Sequence, residues 1–170
     1  MDATSHEPQA AAQDLPTALT KTYASHYREL LEGVPRGQPS WVTTGGPEGG
    51  LHGTLEGVSA AEASRDVNGT TLAAHVEHLR WAMQLVNDYY GGKEAPPDWS
   101  ESWSVTTVDE ESWRSLREAL RTTGETLLTH LSTPVEWDQE MGRMALLASY
   151  GHTAYHLGAI RQLAKAVKVG

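Results

Sequence analysis

The sequence predicts an all-α fold, a four-helix bundle with a long crossover between helices 1 and 2. Four stretches repeat apolar residues at every third or fourth position, and no stretch sustains the apolar/polar alternation of a strand between hairpin turns. At 170 residues and 39% hydrophobic, the chain can bury a full core, and it has no cysteine with which to cross-link a smaller one. A helix of about 20 residues is about 30 Å long, which is the dimension of a bundle helix.

The first helix follows from Leu15, Leu19, Tyr23, Tyr27, Leu30 and Val34, with Asp14 and Pro16 at its start and Gly33 and Pro35 at its end. The Ala/Gln-rich residues 1–13 are expected to fray, leaving a single domain over 14–170. About 35 residues then separate the first two helices, and eight of the sixteen glycines fall between Gly33 and Gly57. A link of that length lets consecutive helices run parallel, and residues 58–63 read as one short helical turn within it. The second helix covers residues 70–90, with Leu72, Val76, Leu79, Met83 and Val86 on one side and Gly91-Gly92 stopping it. The next link carries Pro96, Pro97, Trp99 and Trp103 and is expected to fold over a bundle end. Asp109 caps the third helix, whose stripe is Trp113, Leu116, Leu120, Leu127 and Leu131, with Pro134 as its downstream limit. The ten residues 132–141 suit antiparallel neighbours, and the fourth helix covers 142–168.

Thirteen Lys+Arg against 22 Asp+Glu leave a net charge of −9, which argues against a nucleic-acid partner, because phosphate neutralisation needs clustered cations. No apolar run approaches the 18 or so residues of a membrane span, and residues 1–13 do not resemble a signal peptide, so a soluble cytoplasmic protein with no membrane partner is expected. Without cysteine there is no thiolate nucleophile and no Cys-based zinc site. Any metal falls to the eight histidines and to carboxylates.

On a helical wheel His152, His156, Ala159, Leu163 and Val167 fall within about 80° of arc, so two histidines of the fourth helix point toward the core. Side chains four apart stand about 5–6 Å from each other at Cβ, close enough for both rings to bind one ion at about 2.0–2.1 Å. The Glu of an HExxH protease motif is missing, since Thr153 follows His152. On the second helix His75 lies inside the apolar arc and His78 on its shoulder, and either can supply a third imidazole. Three neutral imidazoles leave an ion its full charge and an open position, the pattern of a catalytic rather than a structural site. Taken alone, the pair on the fourth helix also reads as structural, and His75 or His78 as hydrogen-bonded to tyrosine or backbone at the bundle surface.

The segments HTAYHLGAIRQL (152–163) and TTLAAHVEHL (70–79) resemble the two signature helices of the DinB/YfiT-like superfamily of metalloenzymes, and the resemblance covers nearly the whole chain. It implies a bundle with a long first crossover and one divalent ion, nickel or zinc, on three histidines: His78, His152 and His156. The family's second helix opens with an aromatic where this chain has Thr70, so His75 stays a rival ligand. The resemblance further implies transfer to or from a low-molecular-weight thiol such as bacillithiol, an S-transferase or detoxification activity on a small-molecule substrate. Two alternatives stand beside it: a metal-dependent hydrolase, for which no inner carboxylate offers a general base, and a non-enzymatic stress-related metal-binding or scaffold protein.

Other residues carry weaker signals. His26 lies in the apolar arc of the first helix and can serve the metal at one remove or pack as a core histidine, and Tyr155 can aim its hydroxyl at the site or pack locally. His130 has no assigned role, and neither do His6 and His52, which read as flexible. Trp41, Trp99, Trp103 and Trp137 fall in links, where they line a mouth or a subunit contact or else plug the core. Trp81 projects opposite the apolar arc of its helix, and a homodimer is expected from that. Arg161, Lys165 and Lys168 suit a helix carboxyl end and need no ligand.

Overall fold

A computed structural model describes residues 14–93, 98–132, 137 and 139–169; the expected fraying of residues 1–13 and the stop at Pro134 lie outside these. The described residues form helices and no strand: α1 (Leu15–Glu32), α2 (Leu51–Leu55), α3 (Ala60–Ala63), α4 (Leu72–Tyr90), α5 (Glu110–His130) and α6 (Glu140–Val169), with short 3-10 turns at Pro47–Gly49 and Trp99–Trp103. The four predicted helices are α1, α4, α5 and α6. No helix among the described residues is long and apolar enough to cross a membrane.

The helix ends follow from local chemistry. Asp14 accepts the Thr17 amide and Asp109 the Ser112 amide, satisfying donors that the first turn of a helix leaves free. Thr71 does the same for Ala74 at the start of α4. Gly33 ends α1 at φ 72°, a left-handed conformation that favours glycine.

Side-chain pairs give the arrangement. The Tyr23 hydroxyl donates to the Leu146 carbonyl, while Tyr27 meets Ser149 and Thr153, so α1 and α6 ascend together. Tyr90 reaches the Gly142 carbonyl while His78 faces His152, so α4 opposes α6. Asn87 donates to the Thr123 carbonyl and Tyr90 stacks on His130, so α4 and α5 run the same way. The long helices thus neighbour one another in the cyclic order α1, α5, α4, α6 around one core that includes Tyr27, Leu30, Leu79, Trp113, Leu120 and Ile160.

Two expectations are corrected. The consecutive parallel pair is α4–α5, not the first two long helices, and α5 and α6 are antiparallel but diagonal rather than adjacent. The link before α5 does not cap a bundle end: Trp99 packs on Trp81, Ser102 on His78, and Thr71 donates to the Thr106 carbonyl, so the chain retraces α4 from its middle to its start. That return is what makes α4 and α5 parallel.

The glycine-rich crossover is closely packed. It contains α2, which the sequence did not reveal, and α3, where one turn was expected. Glu29, buried in α1, accepts the amides of Trp41, Val42 and Thr43 and the Ser40 hydroxyl at 2.7–3.2 Å. Trp113 pins the far end by donating its indole N–H to the Val58 carbonyl at 2.7 Å. A Cβ on Gly50 would overlap the backbone of Glu32 and Gly33, so glycine is required where the crossover meets the end of α1.

Candidate metal centre

The histidines of α4 and α6 meet where these antiparallel helices pass. On α6, buried Thr153 and Ser149 hydrogen-bond to Tyr27 of α1, which turns the neighbouring face, with His152 and His156, toward α4. On α4, His75 and His78 come from one turn. His78 and His156 are buried, and His75 and His152 are half-buried. Nε2 of His78 lies 3.1 Å from Nε2 of His152, and Nδ1 of His75 lies 3.1 Å from Nδ1 of His156. One nitrogen from each of His78, His152 and His156 falls within 4.8 Å of the other two.

The hydrogen bonds orient the rings. Ser102 Oγ donates its single proton to the Trp99 carbonyl at 2.7 Å, so at 2.8 Å from His78 Nδ1 it must accept. His78 therefore carries its proton on Nδ1 and presents the Nε2 lone pair to His152. The Trp103 ring stacks on His78 at 4.0 Å and meets His75 edge-on at 5.2 Å, while Trp99 stands 6.0 Å from His78 and 6.4 Å from His152. The Trp99–Trp103 turn is thus a wall over the imidazoles.

The electrostatics favour neutral rings. Burial first, then the neighbouring histidines, lower the pKa of His78 to about 4 and of His156 to about 3. Burial also lowers those of His75 and His152. Metal ligation requires the unprotonated imidazole, so the cluster is held in its ligating form at neutral pH. Nitrogens bound tetrahedrally at about 2.0–2.1 Å stand about 3.3 Å apart, close to the observed spacing of His78 and His152. The three histidines could hold a metal ion.

Other candidates fall elsewhere. His26 packs 6.5 Å from Trp41. Tyr155 is exposed, with its ring edge-on to His156 at 5.0 Å. His130 stacks on Tyr90, and His52 is half-buried on α2 rather than in a flexible segment. The four link tryptophans divide: Trp99 and Trp103 cover the histidines, Trp137 packs on Tyr23 and donates to Thr20, and Trp41 is exposed. Ser102 was missed from sequence, because a serine in an aperiodic link gives no signal of a partner 24 residues away.

No family model, curated protein or solved structure matches the chain.

Proposed function

We propose that the chain is a DinB-like metal-dependent enzyme in which His78, His152 and His156 hold one divalent ion, nickel or zinc, for transfer chemistry on a low-molecular-weight thiol. The observation that carries this reading is the convergence of three imidazole nitrogens from two helices, those of buried His78 and His156 and half-buried His152, with the His78 lone pair aimed inward by Ser102. Such an ion, when bound, supplies Lewis acidity that lowers the pKa of a thiol or water. The protein's own part is positional. Trp103 and Trp99 exclude water from one side, and the Tyr155 ring stands edge-on to His156. Hydrolysis ranks lower, because the carboxylates of α4 are engaged elsewhere: Glu77 holds Arg80 through two 2.7 Å bonds and Asp88 holds Lys93. The test is to load the protein with nickel or zinc, supply bacillithiol and monochlorobimane, and measure conjugation. Metal-dependent turnover abolished by His156→Ala is expected, and turnover that persists in that variant defeats the proposal.

One observation favours a second reading. His75 Nδ1 lies 3.1 Å from His156 Nδ1, so a small rotation would offer a fourth imidazole and close the site, as in metal-binding proteins without turnover. X-ray absorption on the loaded protein separates the two: three nitrogens with an exchangeable light atom support the enzyme, and four nitrogens support the closed site.

A further inference from the structure

On the opposite side of the bundle a cavity of about 350 Å³ opens between α5, the short helix α2 and the end of α1, with no residue of α4 or α6 in its lining. Its size suits a small organic molecule. Arg114, Arg117 and Arg121, at spacings of three and four, place three guanidinium groups along one face of α5. None of the three has a carboxylate oxygen within 4.0 Å among the described residues, although Glu118 and Glu56 share the lining; Glu32, also there, is paired with Arg28 at 3.0 Å.

Arg117 is the informative member. It is half-buried, and its guanidinium lies 5.5 Å above the ring of buried Trp113. Nη1 reaches the Leu55 carbonyl only at 3.5 Å, and Nε is buried with no partner. A buried donor left unsatisfied is costly, more so when charged, and a cation held this way is a standing demand for an acceptor. His52 lines the same cavity, kept neutral at pH 7 by burial and by Arg121, so its ring adds a donor without adding charge.

We propose that this cavity binds the oxyanion group, phosphate or carboxylate, of a small molecule, with Arg117 at its base and Arg114 and Arg121 at its exposed mouth. Planar guanidinium forks match such oxygens in pairs. Glu56 and Glu118 at the rim, on a chain of net charge −9, turn away long polyanions.

The probes are inorganic phosphate and citrate, titrated at constant ionic strength into the metal-free full chain, so that no anion binds through an ion at the histidines. Amide and arginine Nε–H resonances are followed by NMR. Saturable shifts confined to α2 and α5, weakened about tenfold or more in Arg121→Gln, are expected for one or both anions, and the anion that binds names the class. Arg121 is exposed, so this variant keeps its fold, and Arg117→Gln is read beside it. No saturable shift with either anion, or shifts unchanged in both variants, overturns the proposal. Because the histidines are empty throughout, neither result bears on the metal centre.

Discussion

Ser102 Oγ and His78 Nδ1 stand 2.8 Å apart, with the serine proton committed to the Trp99 carbonyl, so one hydroxyl sets the tautomer of a buried histidine. Ser102→Ala leaves the ring free to turn and its N–H unsatisfied. Partners of this kind are worth about 10- to 100-fold in metal affinity, and that loss is the expected result by isothermal titration with zinc or nickel. Ion stoichiometry and helix content should be unchanged. Wild-type affinity in this variant would show that the hydrogen bond does not orient a ligand.

His75 and His78 separate by the same measurement. If His156 binds through Nε2, its Nδ1–H donates to His75 Nδ1, and His75 positions a ligand without being one. His75→Ala should then keep one ion per chain at reduced affinity, while His78→Ala should lose it. The reverse outcome would make His75 the α4 ligand.

Much of this centre was legible in sequence because helical geometry carries it. The spacing of His152 and His156 puts two rings on one face, and the wheel of the second helix brings His75 and His78 toward them. Asp14 and Asp109 marked helix starts, since a capping carboxylate acts within three residues. What stayed hidden depends on distant chain. Link lengths pointed to the first two long helices as the parallel pair, whereas the link before α5 is held along α4 by contacts such as Trp99 on Trp81 and makes that pair α4 and α5. Glu29 reads as an ordinary surface acid of an amphipathic helix, and only the amides of residues 41–43 explain its burial.

Buried neutral imidazoles make the metal-free protein acid-sensitive. Below the unfolded histidine pKa of about 6.5, the unfolded chain binds protons that folded His78, His156 and His52 take up only near pH 4 or 3, so stability is full above pH 6.5 and falls as pH drops through this window. Glu29 acts lower. Burial raises its pKa, but the Ser40 hydroxyl and the amides of residues 41–43 outweigh burial and bring it to about 2, so its contribution is present above pH 4.5 and lost toward pH 2. Urea melts from pH 7.5 to 3 should show decline beginning near 6.5. Glu29→Gln should cost about 1–3 kcal/mol at pH 7 and flatten only the part below 4.5. Stability constant from pH 7 to 5 would contradict neutral buried histidines.

The surface available to a second copy has moved from where the sequence placed it. Trp81 is half-buried and packs at 4.8 Å on Trp99 of its own chain, so its apolar ring does not require another subunit. On α6, by contrast, Met141, Met144, Leu147 and Tyr155 are 53–73% exposed, and exposed Ala148, Gly151 and Gly158 lie among them. These residues share about 120° of arc that carries no charge between Met141 and Gly158, with Glu140 and Lys165 at its two ends, an unusually apolar stretch for an isolated chain of net charge −9. Small residues between larger ones would let two α6 helices approach closely. A homodimer through this face predicts sedimentation at twice the 18.5 kDa chain mass. Met144→Glu should return it to 18.5 kDa with helix content intact, because a carboxylate in a paired apolar face is buried without a partner. Trp81→Ala should leave the dimer in place. Sedimentation of the unaltered protein at the single-chain mass would remove the interface, and dissociation by Trp81→Ala alone would return it to α4.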